Sequence, residues 1–241
     1  MDQGRLNNQK NGYTTDDKGN KFYFSNPGIP GVHIYDNVWP DSMEFFNNLL
    51  TKEFWDLHEG DSNYRKWVRE DFFDDIEYTR ENGKQADTCW IYSYPEANNH
   101  FWPVLRSYCV HWNIDAKSRE SLRITRFSNG EFFGAHSDDT FATPRTVSMV
   151  YYPNDDYEGG ELEFIHFGVK IKPKAGQLFI FPSAYPYEHQ IHEITSGNPR
   201  WTVVSFLFFG KEEESKLRRK DLPFPYKPDY SNEFDNLFQM E

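Results

Sequence analysis

His136-Ser-Asp138 sets two metal-binding side chains two residues apart. In a β-strand, residues i and i+2 point to the same face. Both can therefore reach one ion while Ser137 points away. Far downstream stand His189 and His192, and just beyond them Arg200. Two imidazoles and one carboxylate form the facial triad that suits non-haem Fe(II) and leaves coordination positions open. Open positions admit a chelating co-substrate and O2. Arg200 adds an anion site, because a guanidinium grips a carboxylate bidentately and stays charged. With eight His and many Asp in the chain, a chance His-x-Asp pair is expected. The order of the pieces is what carries the reading: His136 and Asp138, then Tyr157-Glu-Gly-Gly-Glu-Leu162, then a distal His, then Arg200.

The elements that must position these residues are mostly strands. From Leu122 onward the texture is β-rich, with short runs at 122–127, 146–152, 160–165, 169–172, 177–181 and 201–208 separated by Gly, Pro, Asn and Asp turns. Such spacing predicts a mainly β fold with bracing helices, a double-stranded β-helix or jelly roll, which suits a metal in its mouth. Earlier, Val32–Tyr35 reads as a first strand. Asp41 and Glu44 read as a capping box opening a helix whose Phe46, Leu49, Leu50 and Phe54 recur at helical spacing. Residues 60–88 read as a charged, aromatic loop holding Asp71, Asp74 and Asp75. A second helix is expected over 101–114, with Pro103 in its first turn.

The 241 residues allow one generous domain. The expected division is an N-terminal arm at 1–31, the main domain at 32–210 and a charged, then Pro- and Tyr-rich tail at 211–241. A formal net charge of -12 argues against a non-specific nucleic-acid binder and against an anionic membrane surface as partner. Cys89 and Cys109 sit in no zinc-like spacing, and no apolar run reaches transmembrane length. Together these predict a cytoplasmic, reducing location. Oligomeric state is not encoded in any pattern found.

These residues resemble the Fe(II)- and 2-oxoglutarate-dependent oxygenases, and within them the prolyl 4-hydroxylase-like branch. The resemblance is specific over 122–208. Its His-x-Asp falls on His136 and Asp138. Its distal His lies eight residues before a Gly, which in His189-Gln-Ile-His-Glu-Ile-Thr-Ser-Gly197 selects His189 over His192. The resemblance implies that these three hold Fe(II) and that Arg200 anchors the co-substrate's distal carboxylate. Gly197-Asn-Pro-Arg200 carries one residue more than the family's usual spacing. Thr202 lies two residues on and could add a hydroxyl. Phe127 stands where the branch usually has a Tyr, nine residues before the first metal His, and Phe206 where it often has a substrate-facing Trp. Arg145 resembles the branch's substrate-facing Arg. Phe132, Phe133, Tyr151 and Tyr152 are candidates for a dry lining, and Glu158 to Glu161 for a turn. The implied activity is hydroxylation of an unactivated C–H, a peptidyl proline first, using Fe(II), 2-oxoglutarate and O2, with ascorbate a candidate accessory. The implied partner is a peptide or protein. The alternatives are the same chemistry on another amino acid or metabolite, and a cupin- or lectin-like jelly-roll binding module. Cupins usually present His-x-His rather than His-x-Asp.

Overall fold

The structure is a computed structural model that describes residues 11–71, 85–91, 94–139 and 145–209. Asp74, Asp75 and the tail 211–241 lie outside the described residues. The strands are, in chain order, β1 (Asn11–Thr15), β2 (Lys21–Ser25), β3 (His33–Tyr35), β4 (Tyr64–Asp71), β5 (Gln85–Ile91), β6 (Ala116–Arg119), β7 (Leu122–Phe127) and β8 (Phe133–His136). There follow β9 (Arg145–Tyr152), β10 (Tyr157–Gly159), β11 (Leu162–Phe164), β12 (Val169–Ile171), β13 (Gln177–Pro182), β14 (His189–Ile191), β15 (Ile194–Gly197) and β16 (Arg200–Phe209).

One large antiparallel sheet runs β1-β2-β3-β13-β9-β16-β7-β5-β4, with β6 paired to β16. A smaller sheet, β12-β11-β14-β8, and the pair β10-β15 complete the second layer. This is the expected jelly roll. Strand β9 shows why the layers stack. Val147 to Tyr152 are all buried, because both faces of the strand are covered. Val150 and Tyr152 meet Leu162, Phe164 and Ile191 of the small sheet. Met149 and Tyr151 point the other way, towards Phe46, Leu49, Phe101 and Tyr108 of the helices. The same alternation runs along β16, where Trp201, Val203 and Leu207 join the helix side. Arg200, Thr202 and Phe206 are left to face the interior of the roll.

The bracing helices differ from expectation in detail. In place of one helix there are α1 (Met43–Asn48) and α2 (Lys52–Leu57). Asp41 does not cap; its φ is 57° and the chain enters α1 through Ser42 without a side-chain cap. Thr51 caps α2 instead, accepting from the Phe54 N–H at 3.2 Å. The break between the helices ends the helical period, so Phe46 and Leu49 are fully buried but Leu50 is 49% exposed. The long helix α3 (Pro95–Trp112) begins earlier than expected. Pro95, which lacks an N–H at a position where one would be unpaired anyway, takes the first turn, and Pro103 lies inside the helix. Its end is set by Asn113 in the left-handed conformation. The expected loop at 60–88 is, over its described part, the strand pair β4–β5. The expected arm is, over 11–25, a hairpin on the large sheet. Phe24 of that hairpin turns inward and stacks on His33 at 3.6 Å.

Candidate metal and anion site

Strand pairing brings the two histidines together. His189 of β14 stands opposite His136 of β8 in the register, and their ring centroids are 4.4 Å apart. Each Nδ1 donates to a main-chain carbonyl two residues back, His136 to Gly134 at 2.8 Å and His189 to Tyr187 at 3.0 Å. That bond fixes the tautomer and leaves each Nε2 as a lone pair. Asp138 lies just past the end of β8, so the strand pleat does not aim it as expected. The Ser148 hydroxyl does, donating to Asp138 Oδ2 at 2.6 Å, backed by the Ser183 hydroxyl 2.8 Å from Ser148. The Asp139 N–H donates to the Ser183 carbonyl at 3.0 Å and fixes the next peptide. Asp138 Oδ1 is 3.6 Å from His136 Nε2, and Oδ2 is 3.8 Å from His189 Nε2. One ligand atom from each residue lies within 4.8 Å of the others.

Burial alone would raise the Asp138 carboxyl. The imidazoles of His189 and His136, the Ser148 hydroxyl and Arg145 outweigh it and hold the carboxyl below its ordinary range. An ionised carboxylate and two Nε2 lone pairs are a donor set that fits Fe(II).

Arg200 is fully buried at the start of β16. None of its three guanidinium nitrogens has a hydrogen-bond partner. Its charge lies 5.6 Å from the Phe127 ring and 5.0 Å from the Tyr152 ring. The buried hydroxyls of Tyr152 and Tyr157 lie beside that charge, which opposes the rise that burial gives both phenols, and neither has a partner other than the guanidinium. A buried, unpaired cation of this kind is costly unless an anion completes it. The site therefore fits a carboxylate. Phe127 forms wall without donating, as its sequence position suggests. Thr202 is buried two residues along the same face.

The added residue before Arg200 is absorbed by a clip. Asn154 donates to Asp156 Oδ1 at 2.6 Å and to the Pro199 carbonyl at 3.0 Å, and accepts from the Trp201 N–H at 3.0 Å. Asn198 donates to the other Asp156 oxygen at 2.6 Å. Gly160 makes room for the arginine stem: a Cβ there would lie 2.9 Å from Arg200 Cδ and 2.5 Å from Ile194 Cδ1.

Other expected residues fall differently. Arg145 is held bidentately by Glu120, at 2.8 and 2.9 Å, donates to the Asp138 carbonyl at 3.3 Å, and lies 3.7 Å over the Phe206 ring. Tyr151 does not line the site. Strand alternation turns it to the helix side, where its hydroxyl meets Ser42 and the Trp39 carbonyl. Phe132 and Phe133 are half-buried, and the Phe133 ring stacks on His136 at 3.8 Å. His192 pairs with Glu163 at 2.6 Å, away from the three ligands. Ser148 was not anticipated, although its even spacing from Tyr152 along β9 marks the shared face. Tyr157 and Glu120 carried no comparable signal.

Residues 122–208 match the family model of the 2OG-Fe(II) oxygenase superfamily. A PKHD-type hydroxylase from Parvibaculum lavamentivorans is 35% identical over 96 residues, which are 36% of this chain and 43% of that protein. The chain spans about half the length of the curated relatives it matches. Among solved structures, a Pseudomonas putida prolyl-4-hydroxylase aligns with a TM-score of 0.56 at 15% identity, covering 75% of this chain and 94% of its own. A Trichoplax adhaerens prolyl hydroxylase, in complex with a peptide fragment of the hypoxia inducible factor oxygen degradation domain, aligns with a TM-score of 0.56 at 18% identity. It covers 79% of this chain and 86% of its own. These structures share the fold. With the site just described, residues 122–208 define the class that this part of the chain is similar to, the 2OG-Fe(II) oxygenase superfamily, whose chemistry uses Fe(II), 2-oxoglutarate and O2. In sequence the chain is similar over part of its length to the PKHD-type hydroxylase, and in fold to the prolyl-4-hydroxylase.

Proposed function

We propose that this chain is an Fe(II)- and 2-oxoglutarate-dependent hydroxylase acting on a peptide, with a peptidyl proline as the first substrate to test. The observation that carries the reading is the fully buried, unpaired Arg200 guanidinium in the same roll as the His136, Asp138 and His189 cluster. A metal-binding module without a co-substrate has no use for that cation.

In this reading His136, Asp138 and His189 hold the metal, and Arg200, with Tyr152 beside it, takes the distal carboxylate of 2-oxoglutarate. When bound, Fe(II) would let O2 act as the oxidant, with 2-oxoglutarate giving two electrons as it is decarboxylated to succinate and CO2, one oxygen atom entering succinate and the other the hydroxylated C–H. The protein's own contribution is positional. The carbonyls of Gly134 and Tyr187 fix both imidazoles, and the Ser148 hydroxyl aims Asp138. Phe127, Ile194 and Tyr157 pack around Arg200 and keep water from competing for its charge. Thr202 is assigned to the co-substrate side, and Arg145 with Phe206 to the substrate side. The peptide and proline assignments follow the similar proteins described above, a PKHD-type hydroxylase and two prolyl hydroxylases, one of them in complex with a peptide.

Among the described residues no helix is long and apolar enough to cross a membrane, and both thiols are free. We place the protein in a reducing compartment, the cytoplasm, on the strength of those thiols.

The test is succinate formation from 2-oxoglutarate with added Fe(II) and ascorbate, with and without prolyl peptides. Turnover abolished in His136→Ala, and recovered only at high 2-oxoglutarate in Arg200→Ala, is the expected result. A wild-type chain that neither turns over nor binds 2-oxoglutarate sinks the proposal.

A further inference from the structure

We propose that Tyr157 is a co-substrate-binding residue, whose phenol donates to the distal carboxylate gripped by Arg200. This rests on the reading of Arg200 given above and adds a donor that no sequence pattern assigned.

The argument is one of hydrogen-bond capacity. An ionised carboxylate offers about four lone-pair positions. A bidentate guanidinium fills two of them. Two remain, and two buried phenols, Tyr152 and Tyr157, stand beside the same guanidinium, with no other partner for their hydroxyls. Buried polar atoms of a folded protein are almost always satisfied, so orphans gathered at one point mark a ligand. Phe127 borders the same cluster as Tyr157 and has no hydroxyl to offer.

Tyr157 is also held in place more firmly than packing alone requires. Lys172 donates to the carbonyls of Tyr157 and Gly159 at 2.7 and 2.5 Å, and its ammonium lies 3.9 Å from the Tyr157 ring centroid. On the ring's edge, a Cβ at Gly160 would lie 3.0 Å from Tyr157 Cε2 and 2.9 Å from Arg200 Cδ. Ring and arginine stem thus converge on one glycine, which explains why Tyr157-Glu-Gly-Gly needs a residue without a side chain there. Burial raises the Tyr157 phenol, so at neutral pH it keeps its proton and can donate.

The test is calorimetric titration of the full chain loaded with Mn(II), using 2-oxoglutarate and, separately, 2-oxobutyrate. The second keeps the 2-oxo acid but lacks the distal carboxylate. Tyr157→Phe is expected to bind 2-oxoglutarate roughly ten-fold more weakly, the scale of one hydrogen bond to a charged group, and 2-oxobutyrate unchanged. Equal weakening for both ligands overturns the inference and makes Tyr157 a packing residue. Unchanged 2-oxoglutarate affinity in Tyr157→Phe overturns it too, while leaving the Arg200 reading intact. A wild-type chain with no affinity for 2-oxoglutarate removes both.

Discussion

His189 faces His136 across the β8–β14 pair, with ring centroids 4.4 Å apart, whereas His192 points to Glu163, 2.6 Å from its carboxylate. The register between two short strands thus decides which distal histidine meets Asp138. Replacing His189 with Ala should remove Fe(II)-dependent turnover and weaken metal binding by orders of magnitude. His192→Ala should keep both within a few-fold, since a half-exposed ion pair contributes about 0–1 kcal/mol. Metal affinity measured by competition with a chromogenic chelator separates the two. Comparable losses in both variants would contradict the register.

Arg200 sits where charge alone is insufficient. Arg200→Lys keeps a cation but loses the planar fork that binds a carboxylate through two parallel bonds. It also inserts a strongly hydrated ammonium into an apolar wall of Phe127, Tyr152 and Ile194. The expected outcome is a KM for 2-oxoglutarate raised at least about ten-fold, equivalent to a loss of about 1.5–3 kcal/mol, with kcat falling less. Steady-state kinetics at varied 2-oxoglutarate checks this. An unchanged KM would mean that the co-substrate's distal end lies elsewhere.

Much of this site was legible because its parts repeat with the strand period. Arg200 and Thr202 share a face by spacing alone, and the apolar runs at 122–127 and 177–181 became β7 and β13 nearly residue for residue. The parts that were not legible depend on contacts distant in sequence. Asp138 is aimed by Ser148 of β9 and, behind it, Ser183 just past the end of β13. Arg145 finds Glu120 across 25 positions. Asp41 looks like a cap in sequence, but the chain turns at it with positive φ and caps the next helix with Thr51. Tyr151 and Tyr152 are indistinguishable by composition; only the knowledge that helices cover one face of β9 assigns one to the site and the other to the core.

The Gly-Gly turn makes its own claim. Gly160 has φ +66°, and a Cβ there would meet Ile194 Cδ1 at 2.5 Å and Arg200 Cδ at 2.9 Å. Gly160→Ala therefore strains the backbone and pushes on the arginine stem together. The expected cost is about 1–3 kcal/mol of stability, accompanied by weaker 2-oxoglutarate binding at temperatures where the variant remains folded. Thermal melting and calorimetry on the same sample test both parts. Lost stability with full 2-oxoglutarate affinity would uncouple the turn from the anion site.

A residue outside the site should add to the acid sensitivity of the fold. His33 is 2% exposed, stacked on Phe24 at 3.6 Å. Burial, and secondarily His111, push its imidazole down to about 3. In the unfolded chain it titrates near 6.5. Between those values the unfolded state binds a proton that the folded state refuses, so stability falls as pH falls, by about 1.4 kcal/mol per unit. Above the upper value the effect vanishes. His33→Phe keeps a planar ring against Phe24 and removes the titration, and the Tyr35 hydroxyl retains its 3.2 Å contact with Thr14. Melting temperature should then fall less steeply from pH 6.5 to 4 in the variant than in the wild type, whatever their offset at pH 7. Parallel curves across that window would place the acid-labile group elsewhere.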